Sequence, residues 1–216
     1  MESFSVKELF AHQINQLWDD DKFKSIPIKE RGYAIQDCII KDALLFIGIN
    51  PSVIGDNTEE RTFYSNSHGD THKYFKKFIE IHQETGIPWA HLDLLYMRET
   101  NQRAIVELCE NKYNRIGYDF AKAQYLISKE IIELACPRII IVNNTYARKW
   151  LTDSYFNKDC FNYKFDDTIG TYRIQDHPLL SNTPIFFTSM LTGQRALDLG
   201  SYERLKWHIK FVLNKR

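Results

Sequence analysis

Four short runs constrain this chain more than anything else in it: ALLFIGIN at 43–50, AHLDLLYM at 90–97, RIIIVNN at 138–144 and PIFFTSM at 184–190. Each is apolar almost from end to end, which suits a strand covered on both faces rather than one with a wet side. Helical patterns separate them. HKYFKKFIEIHQETG at 72–86 places Tyr74, Phe75, Phe78, Ile79 and His82 on a helical period, with Thr71 as a starting cap and Gly86 as a stop. YDFAKAQYLISKEIIELA at 118–135 does the same with Phe120, Ala123, Ile127, Ile131 and Leu134, and ends before Pro137. TYARKWL at 145–151 reads as a short helix and YERLKWHIKFVLN at 202–214 as a terminal one. Buried strands alternating with helices predict a three-layer α/β/α domain around a central parallel sheet of four strands.

The remaining segments fill in around that frame. SVKELFAHQINQLW at 5–18 is a helix with Ser5 and Glu8 spaced as a capping box, so residues 1 to about 30 form a helical N-terminal extension of one domain spanning 1–216. Residues 52–70 and 99–117 read as loops, and TIGTYRIQ at 168–175 as a peripheral strand.

Composition excludes several classes of function. Lys plus Arg and Asp plus Glu both number 28, so the chain carries no overall basic field and any nucleic-acid site must be a local patch. No apolar stretch approaches the roughly 18 residues of a membrane span, and no basic-then-apolar signal opens the chain, so a cytoplasmic monomer with no membrane partner is expected. Cys38, Cys109, Cys136 and Cys160 form no CxxC pair and read as reduced thiols. His68 and His72 flank Asp70, a spacing that suggests metal ligands and leaves a metal-dependent hydrolase open, with His91 as a further ligand. Asp70 and Thr71 are, however, natural helix-starting residues, and neither metal nor cofactor is expected.

Ligands of parallel α/β sheets gather at the carboxyl ends of the strands. Three ends here carry polar residues out of keeping with the strands before them: Asn50, the Asp93–Arg98 stretch, and the turn from Thr188 to Arg195. Asn50-Pro51 closes the first strand, since proline removes an amide hydrogen and holds the residue before it out of the helical region.

With those residues in view, LLFIGINPS at 44–52 followed by TFYSNSHGDTHKYFKKF at 62–78 resembles the first motif of the uracil-DNA glycosylase superfamily, in its mismatch-specific branch. DLLYMRETNQ at 93–102 is similar to the segment other branches write as Asn-Leu-Val-Lys-Cys-Arg, and 125–151 to the family's long helix, strand and short helix. The resemblance implies a uracil-DNA glycosylase-like fold and weak hydrolysis of the N-glycosidic bond of uracil or a damaged base in DNA. Asn50 would hold the attacking water; an amide orients water but cannot become a carboxylate base, so such an enzyme is slower than one with Asp. Gly48, Ile49, Pro51, Ser52 and Asp93 would surround the base, and Phe63 would stack on it once it is flipped, with Tyr64 as substitute. After the last strand the family's active members carry His-Pro-Ser, and this chain does not. Ser189, Thr192, Gln194 and Arg195 would supply hydrogen bonds to DNA and Leu191 an apolar wedge. HPLLS at 177–181 offers His177 as a substitute, though ahead of the fourth strand. The terminal helix adds Arg204, Lys206, Lys210, Lys215 and Arg216 as a face for phosphate or for solvent. The alternative is a nucleic-acid or nucleotide binder that has kept the fold and lost the chemistry.

Overall fold

The computed structural model describes residues 1–53, 59–65, 72–110, 115–152, 160–193 and 195–215. In chain order the strands are β1 (Ser3–Ser5), β2 (Gly32–Gln36), β3 (Cys38–Ile40), β4 (Leu44–Gly48), β5 (Glu60–Tyr64), β6 (Trp89–Asp93), β7 (Ile139–Val142), β8 (Asn162–Asp166), β9 (Thr171–Gln175) and β10 (Pro184–Phe187). The helices are α1 (Val6–Asp19), α2 (Lys76–Thr85), α3 (Gln102–Glu110), α4 (Arg115–Ala135), α5 (Thr145–Thr152) and α6 (Leu199–Asn214).

The main sheet has six strands in the order β6-β4-β7-β10-β9-β8. β6, β4, β7 and β10, the four apolar runs, are mutually parallel, while β9 and β8 continue the sheet antiparallel. The sheet is therefore mixed and wider than the four-stranded one expected, and the strand taken as peripheral is an integral member. β8 gives no apolar run because it lies at the edge of the sheet with residues such as Lys164 exposed.

Alternation along the central strands feeds two cores. Leu45, Ile47, Leu92, Ile140, Val142 and Ile185 face a cluster completed by α1, α3, α4 and α5. Leu44, Phe46, Trp89, Ile139, Ile141 and Phe186 face a second, built with α2 and α6. Helices thus cover both sides of the sheet. Helix ends follow the sequence signals: Ser5 Oγ accepts from the Glu8 amide at 3.0 Å, and Gly86 closes α2 in the left-handed region at φ 69°. Leu134, placed on the buried stripe of α4 by its spacing, is exposed instead; Ile132 and Ala135 turn inward.

Three further expectations change. Residues 52–70 are not wholly a loop, because β5 pairs parallel with β2 from Gly32↔Glu60 to Gln36↔Tyr64. Residues 99–117 contain α3, whose amphipathic face buries Ile105 and Cys109. The N-terminal extension is not purely helical either: β1 pairs with β3 beside α1. Among the described residues no helix is long and apolar enough to cross a membrane.

Candidate functional site

Register brings the strand ends into one row. Gly48 lies beside Asp93, Ile47 beside Val142, and Val142 beside Phe187, so the residues that follow emerge along the same edge. From β4 the chain crosses to β6 on one side and later to β7 on the other, which puts the topological switch point between β4 and β7. A cleft of about 560 Å³ opens there, within the range of roughly 300–1,000 Å³ usual for small-ligand sites. Gly48 to Ser52, Tyr64, Tyr74, Asp93, Asn143 and Leu191 are among its walls.

Asn50 is held by its nitrogen. Nδ2 lies 2.9 Å from the Pro51 carbonyl, 3.2 Å from that of Met97 and 2.7 Å from that of Glu99. Three surrounding acceptors fix which end of the amide is nitrogen. Oδ1 has no hydrogen-bond partner among the described residues, and the side chain lines the cleft. The loop that supplies the carbonyls is itself tied down: the Glu99 amide donates to Pro51 O at 3.0 Å, and the Glu99 carboxylate pairs with Arg31. The result is a hydrogen-bond acceptor of fixed direction at the end of β4.

Below it lies a buried polar floor. Asp93 and His91 project from the same face of β6, being two residues apart on a strand, with His91 Nε2 3.6 Å from Asp93 Oδ1. Burial pushes the Asp93 carboxyl up to about 7 and the His91 imidazole down to about 3, so both are largely uncharged a little below neutral pH. Tyr74 OH sits 3.5 Å from His91 Nε2. Burial and the nearby Asp93 also hold the Tyr64 and Tyr74 hydroxyls protonated. Among the described residues, His91 Nδ1 and Asn143 Oδ1 are buried with no hydrogen-bond partner. Gly48 makes this floor possible: a Cβ there would stand 2.1 Å from Asp93 Oδ1.

Not every expected residue reaches the cleft. Phe63 does not; it turns to the core and meets Tyr33 edge-on, ring centroids 5.5 Å apart. Its neighbour Tyr64 lines the cleft instead, as alternation along β5 requires. Leu191 lines the cleft but is only 1% exposed and belongs to the second core, so it is not a free wedge. Ser189, Thr192 and Arg195 lie outside the lining, and Gln194, like His68, Asp70, Thr71 and Arg216, falls outside the described residues. His177 is committed elsewhere: its Nδ1 accepts the Leu179 and Leu180 amides at 3.2 and 3.1 Å, and its Nε2 meets Glu133 at 3.1 Å. His72 joins the cleft wall while capping the turn at Lys73–Phe75, accepting from the Tyr74 amide at 3.4 Å. The basic face of α6 is largely internally paired, with Lys206 and Lys210 both bound to Glu84.

Sequence marks Asn143 not at all, Tyr74 only as part of a helical stripe, Arg98 only as the end of the Asp93–Arg98 stretch, and His91 only as a metal ligand. Two signals point to His91 and Asn143: HLD puts two polar side chains on one face of an apolar strand, and VNN ends β7 as GIN ends β4. Arg98 is anchored to Glu60 at 2.7 Å and to Arg31 O at 3.2 Å.

No family model, curated protein or solved structure matches the chain.

Proposed function

We propose that this is a uracil-DNA glycosylase-like protein whose cleft takes a base flipped out of DNA and slowly hydrolyses its N-glycosidic bond. The observation that carries this reading is Asn50. Its nitrogen is clamped by three carbonyls, and its oxygen, on the wall of the cleft, has no partner among the described residues. An attacking water needs such an acceptor, preorganised so that no rearrangement is required at the moment of reaction. Tyr64 supplies the aromatic face on which an extruded base stacks, in place of Phe63. Gly48 to Ser52 and Asp93 form the remaining walls. No metal or cofactor enters this reading.

One observation favours the alternative, a nucleic-acid or nucleotide binder without chemistry. The turn after β10 presents Met190 and Leu191 to the cleft, where an imidazole would otherwise stabilise the departing base. A single-turnover cleavage panel on duplexes and single strands carrying uracil, hypoxanthine or a mismatch separates the two. Release of a base at any of these sites supports hydrolysis. Tight binding of the same oligonucleotides with every glycosidic bond intact supports the binder.

A further inference from the structure

The Asp93 carboxyl sits in a floor of under-satisfied polar groups, beside His91 Nδ1 and Asn143 Oδ1. Buried polar groups nearly always find hydrogen-bond partners, and a carboxyl without them is costly to keep. No donor reaches either of its oxygens within hydrogen-bond distance among the described residues, and His91 Nε2 lies 3.6 Å from Oδ1. The titratable groups that face it are His91 from the same strand, Tyr64 from β5, Tyr74 from the turn before α2, and Tyr96 just beyond β6. None of them is a cation near neutral pH. Arg98, which also lines the cleft, spends its guanidinium on Glu60 and Arg31 O. The side chain is 9% exposed and lines the cleft, resting on Gly48, where any Cβ would collide with it. The site therefore holds a largely buried carboxyl that has no hydrogen-bond partner among the described residues and looks into the space a ligand would fill.

We propose that Asp93 is the acid that protonates the departing base, where the described part of the turn after β10 turns only Met190 and Leu191 to the cleft. This inference rests on the glycosylase reading given above. In the step, the bond between C1′ of the sugar and the base nitrogen breaks and its electron pair passes into the base. The Asp93 carboxyl gives its proton to an oxygen or ring nitrogen of that base, leaving a carboxylate. The water held by Asn50 Oδ1 forms the new C1′–O bond and releases a proton to solvent, and Asp93 recovers one from solvent after the base leaves. Atoms and charge balance with water as the only co-reactant. Burial suits the carboxyl to this task, since it holds its proton up to about pH 7 and so has acid available under ordinary conditions.

The test is the single-turnover excision rate between pH 5 and 9 for the wild type and for Asp93→Asn, with thermal unfolding at pH 6 to show that the variant is folded. Asn has the same shape but no transferable proton. The wild-type rate should be level on the acid side and fall about tenfold per pH unit above about 7, while Asp93→Asn is roughly a hundredfold slower at pH 6 and independent of pH. A wild-type rate that does not change across the range, or an Asp93→Asn variant that keeps the wild-type profile, overturns the acid role and leaves hydrolysis standing. No excision by the wild type at any pH overturns the glycosylase reading, and the acid role with it.

Discussion

Replacing Asp93 by Asn should stabilise the protein increasingly as pH rises from about 4 to 7. In the folded chain burial raises this carboxyl from 3.8 to about 7. Between those values the unfolded chain has lost its proton and the folded chain has kept it, so stability falls as pH rises through the window. A shift of about three pH units is worth about 4 kcal/mol, and at 9% exposure little of it is relieved by solvent. Asn keeps the volume and cannot ionise. The variant should therefore match the wild type at pH 4 and exceed it by about 4 kcal/mol at pH 8. His91 contributes with the opposite sign: its pKa falls from 6.5 to about 3, so its contribution is present above 6.5 and is lost as pH drops toward 3. The two slopes nearly cancel in the wild type between about pH 4 and 6.5, which makes the difference between proteins the quantity to follow. Urea unfolding of both at pH 4, 6 and 8 gives it directly. An equal difference at pH 4 and 8, or a variant less stable than the wild type at pH 8, would show that Asp93 is ionised and partnered in the folded protein.

Two other perturbations follow from the packing. Tyr64→Leu should slow excision by removing the stacking face, whereas Phe63→Leu should lower the melting temperature through its lost contact with Tyr33 and leave excision near the wild-type rate; excision rates and thermal melts on both variants check the pair. Leu191→Ala should cost about 2–5 kcal/mol in chemical denaturation, the range for a buried leucine in a packed core. A loss well under 1 kcal/mol would mean that Leu191 is a free wedge after all.

The parts of the fold that sequence exposes are those whose burial is nearly complete. β4, β6, β7 and β10 are covered on both faces, so their composition alone marks them, and their shared direction follows from the helices between them. β5 was hidden for the opposite reason. Its residues, Glu-Arg-Thr-Phe-Tyr, are half-exposed and find a partner only in β2, a long-range pairing with no local sign. That omission carried into the site: without a strand there is no alternation, and Phe63 and Tyr64 cannot be told apart. α3 was missed because only Ile105 and Cys109 of its nine residues are buried. At the cleft, Asn50 is legible from the Gly-Ile-Asn-Pro turn, whereas the Asp93–His91 floor, two polar residues on one face of β6, has room only because Gly48 on the neighbouring β4 carries no side chain. Contacts of that kind are made by register and cannot be seen along the chain.

The central claim, that Asn50 holds the attacking water, is tested most directly by comparing Asn50→Ala with the wild type in two assays on one uracil-containing duplex. The substitution removes the acceptor and the clamp but no phosphate contact. Single-turnover excision should be abolished, while equilibrium binding of the duplex stays within a few-fold. Excision that survives at the wild-type rate, or binding lost in parallel with it, would mean that Asn50 only staples the end of β4 to the loop after β6.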